Sequence, residues 1–310
     1  MSRNLRESKP LLSVCIPTRD RREELLVAVG SCFAQTYRPL EVLVLDDASV
    51  DGTEAAVRTR FPDARFFQNQ QRKGAAVLKN LGFREARGEF VVGLDDDSYY
   101  SSSDTLGQVV ADFKSSGASV IALPFIEPRR QDTGLGPRFK QLERLARLRT
   151  FTGCAYAIRR ETALELEGYR ECFFYRVIDR DFSIRILDRR HEIVLGTAKP
   201  VVHMYSPDRD WEEMYRLSIR NTLLFDWFNI PHPFVFPRML ADAALMFRYK
   251  FIWPQLWARA RWLAKGTREA FALTRLRRPV SREAYRRYRH LPAHGPIPWQ
   301  GQPPKPAAVE

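Results

Sequence analysis

Along the first hundred residues, apolar positions alternate between short continuous runs and helical spacing. "LLSVCIPT" (11–18) has the length of a strand, and "REELLVAVGSCFAQT" (22–36) spaces its apolar residues for one face of a helix. "LEVLVLDD" (40–47) is a second strand, and "SVDGTEAAVRTRF" (49–61) is a helix with Ser49 or Asp51 as cap. "ARFFQN" (64–69) is a third strand, "GAAVLKNLGFREAR" (74–87) a helix and "EFVVGLDDD" (89–97) a fourth strand. Strands alternating with helices predict an α/β fold with a mostly parallel sheet.

Ligands of such sheets bind beyond the carboxyl ends of the strands. The unusual residues fall there: Pro17, Thr18 and Arg19 end the first strand, Asp46 and Asp47 the second, and Asp95, Asp96 and Asp97 the fourth. Singly, each has an ordinary reading, Asp47 as a helix cap and the acidic triplet as a solvated turn. Their convergence on one rim is what points to a ligand.

The second half is helical and basic. Phe236, Leu240, Ala243 and Phe247 recur at near-helical spacing, and Phe251, Ile252, Trp253 and Trp257 continue the series among Arg248, Lys250, Arg259 and Arg261. Such a stripe is either a core face or a membrane face. Charge bears on the choice: residues 238–290 carry 14 Lys and Arg against 3 Asp and Glu, whereas residues 1–237 carry 35 against 33. The net charge of +13 is therefore concentrated where an anionic surface would be attracted.

With 310 residues, 45% of them hydrophobic and 28% charged, the chain has the composition of a folded protein of one large or two small domains. The Pro-rich stretch "GPIPWQGQPPKP" (295–306) is the one expected to lack fixed structure. Cys15, Cys32, Cys154 and Cys172 are far apart and form no C-x-x-C pair, which suggests reduced thiols in a cytosolic protein rather than a zinc site or disulfide framework. The N-terminus reads as a strand and not a signal peptide, and no apolar segment approaches the roughly 18 residues of a membrane span.

The series "VCIPTRDR", "EVLVLDDASVDGT", "RKGAAVLKNLGFREARGEFVVGLDDD", "TGCAYAIRRETALELEGYRE" and "DRDFSIRI" resembles, in order and spacing, the family 2 glycosyltransferases of the GT-A fold. The resemblance covers about residues 11–225 and implies a Rossmann-like GT-A domain with a nucleotide-diphosphate sugar donor, Mg²⁺ or Mn²⁺, and inversion at the anomeric carbon. Physical chemistry agrees, since a diphosphate would be repelled by the carboxylates unless a divalent cation stood between them.

By position, Asp95 resembles the first Asp of the family's DxD motif, near the ribose, and Asp97 the second, on the metal; Asp96 is the middle residue, and the unbroken triplet leaves the register open by one. Pro17, Arg19 and Asp47 match the base cradle, with Thr18 and Asp46 beside them. A carboxylate there accepts a uracil or thymine N3–H, or a guanine N1–H, equally well. Gly74 permits close backbone approach, and Lys79 stands where Arg is common, as a phosphate contact or a solvated helix lysine. Asp179 matches the general base, but the Glu that precedes it in the family is Ile178 here. His203 matches a His near the metal or diphosphate, and Arg220 with Asn221 has a family counterpart. The loop from Arg129 to Arg138 is expected to face the acceptor. No Q-x-x-R-W motif is present, which favours single addition over processive synthesis.

These expectations divide the chain into a GT-A catalytic domain (1–207), a helical basic region (208–290) and a Pro-rich tail (291–310). The expected function is inverting transfer of a sugar to a hydroxyl of a saccharide or lipid-linked acceptor, in cell-surface polysaccharide or glycolipid synthesis. The expected location is cytoplasmic and peripheral on the inner face of the membrane, at an anionic surface. The alternatives are a nucleotidyltransferase, which would release pyrophosphate, and a nucleic-acid binder suggested by the pI near 9.8; nucleic acid is the less expected partner.

Overall fold

In the computed structural model, which describes residues 9–129, 145–206, 210–248, 256–297 and 301–308, a seven-stranded sheet carries the first two thirds of the chain. Its chain order is β1 (Leu12–Thr18), α1 (Arg22–Phe33), β2 (Leu40–Asp46), α2 (Thr53–Arg60), β3 (Arg65–Gln68), α3 (Ala75–Glu85) and β4 (Phe90–Leu94), then β5 (Ser98–Tyr100), α4 (Thr105–Ser116), β6 (Val120–Ala122), β7 (Phe125–Ile126), β8 (Ala155–Arg159), α5 (Arg160–Glu165), α6 (Ile178–Asp188), β9 (Ile193–Leu195) and β10 (Val201–His203). The strand order is β3-β2-β1-β4-β8-β6-β9. Neighbours pair in parallel except β8, which runs antiparallel to both β4 and β6.

Both faces of the sheet are covered, which is why the strands read as unbroken apolar runs. Val14, Ile16, Val42 and Val44 pack with Leu25, Val29, Val57, Val109 and Phe113 on one side. Cys15, Leu43 and Leu45 pack with Leu78, Phe83 and Phe182 on the other. Between the alternative caps of α2, the Asp51 carboxylate receives Thr53 N–H at 3.1 Å. Ser49 instead donates to Asp46 and receives Asp20 N–H.

A small sheet, β5-β10-β7, stands at the carboxyl edge of the large one. Antiparallel pairing sets His203 opposite Ser98, the residue after Asp97, and Met204 N–H closes the register on Asp97 C=O at 2.8 Å. A histidine more than a hundred positions away in sequence is thus brought beside the acidic turn.

The C-terminal region adds α7 (Trp211–Asn229), α8 (Val235–Arg248), α9 (Leu256–Ala272) and α10 (Arg282–His290). Arg180, on α6, is its polar node: it donates to Tyr288 Oη at 3.2 Å, stacks on Phe225 and lies 3.7 Å from Asp242. The aromatic stripe expected here divides. Phe236 and Leu240 are exposed, Ala243 and Phe247 partly buried, and Phe251, Ile252, Trp253 and Lys250 lie outside the described residues. Arg259 is buried, stacked over Tyr215 and bonded to Phe247 C=O at 2.9 Å. Among the described residues no helix is long and apolar enough to cross a membrane.

The tail corrects an expectation. Its described parts are not loose but lie along the small sheet: Ile297 N–H donates to Phe125 C=O at 2.7 Å, Ala307 N–H to Tyr100 C=O at 3.0 Å, and Tyr99 Oη to Pro304 C=O at 2.8 Å. Prolines lack N–H groups, but their carbonyls and the few intervening N–H groups suffice to bind an extended segment to strand edges. His294 is buried, and its Nδ1 accepts Thr152 N–H at 3.0 Å.

Gly74, at the start of α3, has φ +87° and ψ 163°, a region essentially restricted to glycine. A Cβ there would lie 2.4 Å from the Phe174 ring. Gly74→Ala is therefore expected to cost about 2 kcal/mol or more in urea unfolding; a wild-type midpoint would contradict this.

Candidate active site

The carboxyl ends of β1, β2 and β4 open into a cavity of about 650 Å³. Pro17, Thr18, Arg19, Asp47, Gly74, Lys79, Asp95, Asp96, Asp97, Asp179 and His203 all line it. Asp46 does not: its carboxylate is turned to Ser49 and to Gln68 Nε2 at 2.9 Å. That bond set holds the β2 turn rather than a ligand.

Each carboxylate of the acidic turn meets a different cation. Asp95, the most exposed of the triplet, lies 3.5 Å from Lys79 Nζ; Asp96 accepts from Arg21 Nη1 at 2.9 Å; Asp97 lies 3.2 Å from His203 Nε2. Arg21 also reaches Asp97 at 3.6 Å, Thr18 Oγ1 donates to Asp96 at 3.0 Å, and Ser206 N–H donates to Asp97 at 3.0 Å. Burial raises the Asp96 pKa to about 6, with Arg21 opposing and Asp97 and Asp95 adding to the rise. Burial disfavours charge on His203, but Cys154, Asp97 and Glu127 outweigh it and hold its pKa well above the usual value.

Asp95, Asp97 and His203 each offer one ligand atom, and these atoms lie within 4.8 Å of one another. His203 Nδ1 is bound to Glu127 Oε1 at 2.9 Å, which turns Nε2 toward Asp97. A carboxylate behind a ligating imidazole is the usual outer support of a metal site. Two carboxylates and an imidazole suit Mn²⁺, and the carboxylates suit Mg²⁺, so the residues fit the expected cation. The triad unites Asp95, assigned by resemblance to the ribose, with Asp97 and His203.

Asp47 is a loop anchor as well as a wall. It accepts N–H from Lys73 and Gly74, each at 2.8 Å, and Asn69 Nδ2 at 3.0 Å. Lys79 is buried rather than solvated: Nζ donates to Gly153 C=O at 3.0 Å. Burial opposes its charge, but Asp95, Tyr156 and Asp179 raise its pKa above the usual lysine value.

The two carboxylates at the start of α6 part ways, as residues two apart on a helix must. Asp179 faces the cavity, accepting Gly153 N–H at 2.9 Å and Tyr169 Oη–H at 3.3 Å. Burial raises its pKa, Lys79 opposing. Asp181 is buried behind it, bound by Arg170 at 2.6 Å, Arg185 at 3.2 Å and Asn229 Nδ2 at 2.8 Å. Ile178 is buried, so Gly153 and Tyr169 orient Asp179 where the family has a neighbouring Glu.

Arg220 and Asn221 lie outside the cavity and support one of its walls. Asn221 Nδ2 donates to the carbonyls of Phe173, Tyr175 and Arg176, and Arg220 to that of Cys172. The wall they brace carries Phe174 against Gly74. Arg21, Glu127, Gly153 and Tyr169 were not singled out by the sequence pattern. Arg21 stands among three arginines in four positions, 19–22 with Asp20 between, and Glu127 follows a strand of only two residues. Of the loop expected to face the acceptor, residues 130–138 lie outside the described residues.

A model of the glycosyl transferase family 2 domain matches residues 13–175, more than half of the chain. The chain belongs to glycosyl transferase family 2. Over 223 residues the transferase is 29% identical to the GalNAc(5)-diNAcBac-PP-undecaprenol β-1,3-glucosyltransferase of Campylobacter jejuni, a match covering 63% of this chain and 71% of the relative. It is 29% identical over 101 residues to a UDP-Glc:α-D-GlcNAc-diphosphoundecaprenol β-1,3-glucosyltransferase of Escherichia coli, covering 32% of this chain and only 40% of that relative. The structure of a mannosyltransferase of Pyrobaculum calidifontis in complex with GDP-Man and Mn²⁺ superposes with a TM-score of 0.58 at 22% identity, covering 90% of this chain and 79% of that one. The fold is GT-A, and the enzyme is a glycosyltransferase.

Removing the buried Asp181 charge leaves Arg170 and Arg185 unmatched, so Asp181→Asn is expected to lower stability by about 3 kcal/mol in denaturant unfolding. A variant as stable as the parent would contradict that role.

Proposed function

We propose that the transferase moves a single sugar, with inversion, from a nucleotide-diphosphate donor to a hydroxyl of a lipid-linked saccharide. The observation that carries this reading is the convergence of Asp95, Asp97 and His203 within 4.8 Å in a cavity also lined by Asp179. Asp95, Asp97 and His203 would hold Mg²⁺ or Mn²⁺, which when bound neutralises the diphosphate and stabilises it as leaving group. The Mn²⁺ of the Pyrobaculum complex supports manganese. Pro17, Thr18, Arg19 and Asp47 form the side of the cavity suited to the nucleoside, with Gly74 allowing close approach.

Asp179 acts as general base. The acceptor oxygen bonds to the anomeric carbon as its proton passes to an Asp179 oxygen and the bond to the diphosphate breaks. Gly153 N–H and Tyr169 Oη–H hold the carboxylate, and its raised pKa makes it a better proton acceptor. Lys79 bridges Gly153 to Asp95, linking base and donor sides through one buried charge. The two bacterial relatives bear names with undecaprenol-linked sugars, which supports a lipid-linked acceptor, polysaccharide synthesis and a place at the inner face of a membrane.

Asp179→Asn is expected to lower turnover about 10²-fold with donor affinity nearly unchanged. Near parental turnover would sink the assignment. Because the reaction needs the carboxylate, kcat/KM should fall as pH falls, with its acid limb above the ordinary aspartate range of about 3.9; a rate flat through that limb would exclude Asp179 as base. Asp97→Asn should weaken donor binding in Mn²⁺ by about tenfold or more, read by titration of UDP- and GDP-sugars against the parent. Equal binding would remove Asp97 from the metal site.

A further inference from the structure

Helix α8 is turned outward. Phe236, Leu240 and Leu245 are 52, 74 and 58% exposed, and Pro237, Ala241 and Ala244 are exposed between them. This spacing places them all on one side of a helix. The inner side buries Val235, Met239 and a carboxylate, Asp242, gripped by Arg238 at 2.7 Å and 3.7 Å from Arg180. A surface helix in water ordinarily shows its polar side to solvent; this one shows its apolar side.

The apolar surface continues onto neighbouring elements. The Phe236 ring is 6.2 Å from Trp227, which is 4.6 Å from Phe271, itself 44% exposed. Arginines border it: Arg277 stacks over Trp227 at 4.4 Å, Arg282 donates to the carbonyl of His232 beside Phe236, and Arg248, Arg275 and Arg278 are exposed. Of the acids in residues 238–290, Asp242 is buried and Glu269 is paired with Arg220, leaving Glu283 at the surface.

We propose that this face of α8, extended by Phe271, lies in the interface of an anionic lipid bilayer, with the bordering arginines at the headgroup phosphates. Aromatic and leucine side chains with a basic border are the pattern of a helix that lies in a membrane surface. A second copy of the chain fits less well, because a two-fold pairing would bring two arginine-rich borders together, whereas an anionic surface complements them. The proposal rests on the reading of a lipid-linked acceptor. It also gives that reading a structural link, because Arg180, which docks α8 through Asp242, directly follows Asp179.

Flotation of the full chain with phosphatidylglycerol–phosphatidylethanolamine vesicles, and with phosphatidylcholine alone, tests the surface. The parent should float with the anionic vesicles, and Leu240→Glu with Leu245→Glu should reduce the bound fraction about tenfold. Arg248→Gln with Arg275→Gln and Arg278→Gln should abolish the preference for anionic lipid. Binding of GDP or UDP in Mn²⁺ reports on folding, because none of these residues lines the cavity. A parent that does not float, or a Leu240→Glu, Leu245→Glu variant that floats like it, overturns the proposal. So does light scattering that shows a parental dimer made monomeric by that variant. Failed flotation with intact metal-dependent nucleotide binding removes only the lipid surface; failed nucleotide binding with intact flotation removes the transferase reading of the cavity and leaves the surface standing.

Discussion

Three consecutive carboxylates at the end of β4 can share a largely buried edge only because each meets its own cation: Lys79 for Asp95, Arg21 for Asp96 and His203 for Asp97. Like charges so close, away from water, would otherwise protonate or disrupt the turn. Even with Arg21 beside it, Asp96 is pushed toward a pKa of about 6. Much of the surrounding architecture follows from supplying those cations. Lys79 comes from α3, whose glycine start lets Phe174 close over it; Arg21 comes from the turn before α1; and His203 arrives on the small sheet, registered against the strand that begins at Ser98. The cations also reach beyond the triplet: Lys79 holds the Gly153 carbonyl, and Gly153 N–H holds Asp179. The acidic turn and Asp179 thus share one electrostatic framework.

The first four strands and their helices were legible because a sheet covered on both faces makes strands into apolar runs and helices into periodic ones, with boundaries off by only a few residues. Asp95, Asp97 and Asp179, picked out by order and spacing, come together in one cavity. What the pattern missed depends on pairing that has no local signature. The small sheet is built from strands of only two or three residues, so Glu127 and the contact between His203 and Asp97 have no sequence period to announce them. Asp46 looked equivalent to Asp47, yet a one-residue step along a strand end reverses the direction of the side chain. Asp46 serves its own turn, and Asp47 the loop before α3.

The matched domain ends at residue 175, but the cavity does not. Asp179 and His203 lie beyond it, Asn221 on α7 holds the carbonyls of the loop that covers Gly74, and Arg72 spans to Glu213 at 2.7 Å. The tail contributes as well. His294 binds Thr152 N–H next to Gly153, and Ile297 pairs with the strand that precedes Glu127. A stretch rich in proline therefore braces both the loop that orients Asp179 and the strand that supports His203. Composition suggested looseness because it counts the missing N–H groups and not the carbonyls that remain.

An edge so rich in carboxylates should accept a nucleoside diphosphate only with a divalent cation between them. Calorimetric titration of GDP and UDP into the full chain, once in Mn²⁺ and once in chelator, decides this. Binding of at least one nucleotide in Mn²⁺ and its loss in chelator is the result expected; equal affinity in the two conditions would contradict the claim.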